Sequence, residues 1–336
     1  MAEEALSLES FGFSKDEIVL LTSTTFYGIL SEANQSTSYS RVRKYFQSDS
    51  DNAKELKEYR SSKVQWANKW KDLTCKLLDI KEVLEIDSID SAIRKLALTD
   101  SKRNALIVEL STFEPYFDLG VNQSFGDLRY SDADRQNYFR FCSSKIGASD
   151  SFPRANNSFN ECAKKITKAI AGPNWTWAWV GLGAAVLLIT APYIAAAIGG
   201  AMGLGGAAAT SAGLAFLGGG SLAAGGLGIT GGYFALMAGG AILGYGAGSK
   251  DYKDKLRSSS KEELLISCCK LYAVTQISRV SSANKIEICK RALAMQADCE
   301  DEADRLYVGQ SRADAQKTDA KALVLRSFRR VMRGDL

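Results

Sequence analysis

From Ser14 to Lys168 apolar residues recur every three or four positions, the repeat of helices that bury one face. Ile18, Leu21 and Phe26 set that rhythm over Asp16 to Ala33. Ser14 stands where an N-cap belongs, with Glu17 three residues on to complete a capping box. Val64, Ala67, Trp70, Leu73 and Leu77 predict a long helix over Ala53 to Leu84. Shorter helices follow: one opening at Ser88 or Asp90 and running to Leu98, then Lys102 to Phe113, then Asp132 to Ile146 with Tyr138, Phe139 and Phe141. Polar stretches near Asn34 to Ser40 and Ser48 to Asn52 read as breaks, and Tyr116 to Tyr130, with Gly120, Asn122 and Gly126, as a loop. Ser, Asp, Pro and Asn between Gly147 and Asn157 predict a linker, and Phe159 to Ile170 a basic helix. Near the C-terminus the rhythm returns over Lys261 to Val280, Lys285 to Gln310 and Ala313 to Arg333, with Ser260 as a candidate cap. Leu264, Leu265, Cys268, Leu271, Tyr272 and Thr275 mark the first of these, and Leu323, Leu325, Phe328 and Val331 the last.

Between these two regions the pattern has no polar face. Ala169 to Ser249 runs 81 residues without a charged side chain and holds 22 of the 29 glycines. An ordinary core helix keeps one face for water, whereas a bilayer span needs only about 20 apolar residues. Trp175 to Ile198 has 24 residues, about 36 Å as a helix. Trp175, Trp177 and Trp179 open it as interface anchors, and Pro192 would kink it. Gly228 to Gly248 is a second candidate of 21 residues, with Tyr245 near its end. Gly199 to Leu227 is compatible with a third thin span, a re-entrant element or an extended turn.

Lys164, Lys165 and Lys168 precede the block, and Lys250, Lys253, Lys255 and Arg257 follow it. Basic flanks stay on the cytoplasmic side, so the expected topology is an even number of crossings with both termini in the cytoplasm. Small residues fall on fourfold spacings: Ala195, Gly199, Gly203 and Ala207; Gly231, Ala235 and Gly239; Gly240, Gly244 and Gly248. Such strips let two backbones approach closely in lipid. They fit a hairpin packing on itself, an oligomer packing copy against copy, or a buried hydrophobic hairpin within a soluble fold.

Leu217 to Gly232 (LGGGSLAAGGLGITGG), following a Gly/Ala-rich span, resembles the glycine-zipper membrane segments of bacterial toxins and membrane-disrupting defence effectors. The resemblance implies self-assembly within a membrane and permeabilisation. It carries over no catalytic residue.

Composition narrows the chemistry. There is no histidine among the 336 residues, which removes the Ser-His-Asp triad and the commonest zinc ligand. Around Ser221 the nucleophile-elbow pattern fails at Ala223. Gly226, Gly228 and Gly231 spell a dinucleotide fingerprint, but no β-branched strand precedes them. Gly248-Ser249-Lys250 lacks a P-loop ending. Asp298, Glu300, Asp301, Glu302 and Asp304 read as a solvated acidic face. No enzyme, cofactor or metal is expected. The seven cysteines carry no CxxC pair and read as reduced, buried thiols. The acidic N-terminus has no apolar core of a signal peptide.

Net charge is +4; residues 1–168 carry 24 basic and 25 acidic side chains, and residues 250–336 carry 18 and 13. That excess is too slight for nucleic acid. It suits a chain beside anionic lipid; Lys321, Arg326, Arg329, Arg330 and Arg333 form a basic surface for lipid headgroups or, alternatively, a solvated helix end complementing its own dipole. The expected fold is mainly α: an N-terminal helical domain (1–158), a basic lead-in helix with a transmembrane hairpin (159–249), and a C-terminal helical domain (250–336). The expected function is a membrane-inserting, self-associating effector, homo-oligomeric in a lipid bilayer (the inner membrane in a bacterium), with a protein partner or trigger. The alternative is a membrane-anchored helical scaffold or adaptor for a partner protein.

Overall fold

The computed structural model describes residues 13–36, 49–77, 80–116, 125, 128–171, 256–257, 261–278, 280–309 and 311–335. Among the described residues 84% are helical and none lies in a strand. No helix among them is long and apolar enough to cross a membrane. The mainly α fold is therefore as expected.

Nine α-helices are described: α1 (Lys15–Gln35), α2 (Asp49–Leu77), α3 (Ile89–Leu96), α4 (Asp100–Ser111), α5 (Asp132–Ile146), α6 (Ser151–Ala171), α7 (Lys261–Ile277), α8 (Ser282–Val308) and α9 (Arg312–Arg333). They fall into two compact units. The first comprises residues 14–98 and 113–152; the second comprises 99–112 and the chain from 153, together with 1–13.

In the first unit α1 packs on α2, α3 and α5. Ser14 caps α1 with the expected box: its hydroxyl accepts from the Glu17 N–H at 3.2 Å, and the Glu17 carboxylate accepts from the Ser14 N–H at 2.6 Å. Ser131 and Asp134 build a second box on α5. At Gly28 of α1 the side chains of α5 come close to the backbone. A Cβ there would stand 2.6 Å from Tyr138 Cε2 and 3.1 Å from Cys142 Sγ. Aromatic rings fill the interior, with Trp66 edge-on to Tyr116 at 5.2 Å and Trp70 edge-on to Phe113 at 5.4 Å between centroids. The long helix ends at Leu77, short of the expected Leu84. Beyond it, the Ile80 N–H donates to the Cys75 carbonyl and the Leu84 N–H to Ser23 Oγ, so the chain's donors are met without another helical turn.

In the second unit α8 and α9 form an antiparallel hairpin. Gln296 accepts from Arg329 at 2.8 Å, Glu300 from Arg326 at 2.7 Å, and Asp319 from Tyr307 at 2.9 Å, a register that descends on one helix as it climbs on the other. α9 also packs on α7, and α7 on α4. The expected linker over Gly147 to Asn157 is mostly helix. α6 begins at Ser151, with Pro153 in its first turn, where the missing N–H leaves no intrahelical bond unmade. Phe152, Ala155, Phe159, Cys162, Ala163 and Ile166 are its buried stripe.

Candidate functional site

Every residue singled out from the apolar block lies outside the described residues: Ala195, Gly199, Gly203, Ala207, Gly231, Ala235, Gly239, Gly240, Gly244, Gly248, and the anchors Trp175, Trp177, Trp179 and Tyr245. The helices on either side of the block are described, and they form the frame from which it departs.

α6 leads into the block and α7 follows it. Arg154 near the start of α6 donates to the carbonyl of Gln276 near the end of α7 at 2.9 Å. Further along α6, the buried Cys162 thiol neighbours Cys269, and Glu161 lies near enough to Tyr272 to raise its phenol electrostatically. The two helices are thus antiparallel, so the last residues of α6 and the first of α7 sit at the same end of the pair. α4 braces this stem. Lys270 Nζ, buried on α7, donates to Glu109 Oε2 on α4 at 2.6 Å. Asn104 donates to Ser278 Oγ at 2.9 Å, and Asn156 on α6 donates to the Ser111 carbonyl at 2.7 Å. Burial lowers the affinity of the Lys270 amine for its proton, against the pull of Glu109.

α9 meets the returning chain. The Lys321 ammonium is buried and donates to the carbonyls of Leu256 at 2.8 Å and Arg257 at 2.9 Å. Arg257 in turn pairs with Glu302 at 3.1 Å. Of the five cations expected to form a basic surface on α9, Lys321 is therefore buried, whereas Arg326, Arg330 and Arg333 are exposed. Lys321 follows the same spacing as Leu325 and Phe328 and points inward with them, while Arg326 is paired with Glu300 and Arg329 with Gln296. The acidic run on α8 is engaged in the same way at Glu300 and Glu302.

The first unit holds a separate charge cluster. Lys63 on α2 is wholly buried. Its three N–H groups reach Glu32 Oε1 (2.5 Å), Asp134 Oδ2 (3.2 Å) and Ser36 Oγ (3.2 Å). Tyr116 donates its hydroxyl to the other Glu32 oxygen. Burial pushes the Glu32 carboxyl up to about 7, although Lys63 pulls the other way. Asp134 is lowered: burial opposes its charge, but the Ser131 N–H and Lys63 outweigh it. With all three ammonium protons bound, the cluster ties α1, α2 and α5 together and leaves Lys63 no free proton for chemistry. The sequence carried a faint sign of this residue, since Lys63 precedes Trp66, Ala67, Trp70 and Thr74 on their own buried stripe.

All seven cysteines are free thiols, with Cys142, Cys162, Cys268, Cys269 and Cys299 buried and Cys75 and Cys289 half-buried. Burial raises the Cys268 and Cys269 thiols well above the ordinary range, which makes them poor nucleophiles. Among the described residues no group of three or more acidic or cysteine side chains is placed to hold a metal. No protein-family model matches the chain, and no curated protein or solved structure is significantly similar to it.

Proposed function

We propose that the chain is a membrane-inserting, self-associating effector that permeabilises a bilayer through residues 169–249. The observation that carries this reading is the 81-residue uncharged run with its fourfold series of small residues. The antiparallel stem supports it, because a chain that leaves α6 and re-enters α7 at one end suits an even number of crossings. In this reading both termini stay on the cytoplasmic side, and the helical units hold the block and receive the signal that releases it.

The test uses the full chain with dye-loaded liposomes. Gly244→Leu keeps an apolar helix but puts a branched side chain where two backbones would meet. The variant is expected to reach the membrane while losing crosslinked oligomers and leakage together. Ile242→Leu, on another face, is the control and is expected to behave like the parent. Equal leakage from both variants would sink the assembly. A parent that binds liposomes without leakage would favour the anchored scaffold instead.

A further inference from the structure

One surface of the second unit is not used by the proposed activity. Near the start of α8 and the end of α9 an open groove of about 410 Å³ is lined by Lys285, Ile286, Cys289, Lys290 and Leu293 from α8 and by Met332 and Arg333 from α9. That volume lies within the range of ligand-binding clefts, about 300–1,000 Å³. Ile286 is 56% and Leu293 46% exposed, two large apolar side chains seven residues apart on one face. Lys290 and Arg333 are also exposed. Among the described residues none of the three lining cations has an ion pair, and none of those that line the groove is acidic. Elsewhere on the hairpin Arg326 pairs with Glu300, Arg291 with Glu287 and Lys317 with Asp314.

The place of this groove within the second unit decides between partners. The returning chain meets the hairpin at Leu256 and Arg257, beside Lys321 and Glu302. From Lys321 to Arg333 is about 18 Å along α9, and from Glu302 back to Lys285 about 25 Å along α8. The groove therefore lies at the end of the hairpin away from the chain's re-entry. A bilayer reached through the stem would be at the other end, which argues against a lipid surface as occupant. An apolar floor with anchors at helical spacing and a cationic rim suits a helix laid into a groove, with acidic side chains meeting the rim.

We propose that this groove docks an acidic amphipathic helix of a partner protein, the input to the effector. Its place as the input rests on the membrane reading above; the docking itself does not. The partner helix sets apolar side chains over Ile286, Leu293 and Met332 and carboxylates against Lys285, Lys290 and Arg333.

The experiment uses the full chain in neutral phosphatidylcholine bilayers and fluorescence anisotropy of three synthetic helical peptides. The first has leucines at i, i+3 and i+7 with flanking glutamates. The second replaces glutamate by lysine, and the third keeps the composition but scrambles the leucines. The acidic amphipathic peptide is expected to bind, to weaken with added salt, and to lose about tenfold for each of Lys285→Glu and Arg333→Glu. Leu293→Asp is expected to abolish binding, while Lys317→Glu, an exposed control elsewhere on α9, leaves it unchanged. No binding, equal binding of all three peptides, or binding indifferent to the groove variants would overturn the proposal. So would groove variants that lose anionic-vesicle binding or oligomers with no effect on the peptide, because the occupant would then be lipid or a second copy. Liposome association read on the same samples keeps the two ideas apart: insertion without peptide binding defeats the groove alone, and peptide binding without insertion defeats the membrane reading alone.

Discussion

Replacing Lys63 by Met puts the charge cluster of the first unit to a quantitative test. Met matches the length of the aliphatic stem but donates nothing, so three acceptors lose their shared donor. Asp134 keeps the Ser131 N–H at 3.0 Å and the Ser131 hydroxyl at 2.9 Å. Ser36 is a neutral hydroxyl and loses least. Glu32 is the main casualty, a buried carboxylate left with only the Tyr116 hydroxyl among the contacts described for it. Breaking a buried pair by removing one partner costs about 3–5 kcal/mol. With Asp134 still served by Ser131, the expected cost is at the lower end, about 3–4 kcal/mol at pH 8. One tenfold step is about 1.4 kcal/mol, so amide exchange in α1, α2 and α5 is expected to quicken roughly 10²- to 10³-fold. Hydrogen exchange read by mass spectrometry reports these helices separately, with α8 and α9 as internal controls in the same molecule. Adding Glu32→Leu to Lys63→Met removes the stranded carboxylate and is expected to restore at least half of the loss. Acceleration below about fivefold, or a double variant whose two costs simply add, would refute the account of the cluster as one coupled unit.

Three further outcomes follow from the same contacts. Glu32 holds its proton to about 7 in the folded unit and to 4.5 ordinarily; between those values the folded state binds more protons, so stability falls as pH rises, by about 3 kcal/mol at most. A denaturation series from pH 5 to pH 8 on the full chain and on Glu32→Gln checks this, the variant being expected to lose the slope. Gly28→Ala gains helix propensity but drives a Cβ to 2.6 Å from the buried Tyr138 ring; a net loss of about 1–2 kcal/mol is expected in α1 and α5 exchange, and no loss would mean the helices separate at little cost. Lys270→Met removes the ammonium that Glu109 of α4 meets on α7 and is expected to cost up to about 3–5 kcal/mol, read as faster exchange in α4 than in α8; unchanged α4 protection would dismiss it as a brace.

Much of the helical frame was legible because caps and spacing agree. Ser14 with Glu17 announced α1, and Asp132 to Ile146 matched α5 residue for residue. The errors have physical causes. Ser151, Pro153, Asn156 and Asn157 carry the composition of a linker, yet Pro is harmless in a first helical turn, and Asn156 is held by the Ser111 carbonyl. That partner stands 45 residues away, and no local pattern names it. Lys63, Lys270 and Lys321 defeated the rule that charge faces water. Each continues an apolar stripe, and each is made tolerable by acceptors supplied from distant segments. The groove on α8 and α9 was half visible: Arg333 was in the basic run, but Ile286 and Leu293 became notable only once their faces were found uncovered.

The antiparallel stem has a consequence for how such a chain can change over generations. The frame is closed on the near side where buried Cys162 and Cys269 meet, and held on the far side by Lys321 gripping two main-chain carbonyls. Neither of these fastenings is made by a side chain between Ala171 and Leu256. Carbonyls in particular are indifferent to the side chain that follows them. A change in the length or sequence of the intervening chain is therefore expected to leave both fastenings in place, so that the insert can vary on a frame that stays in register.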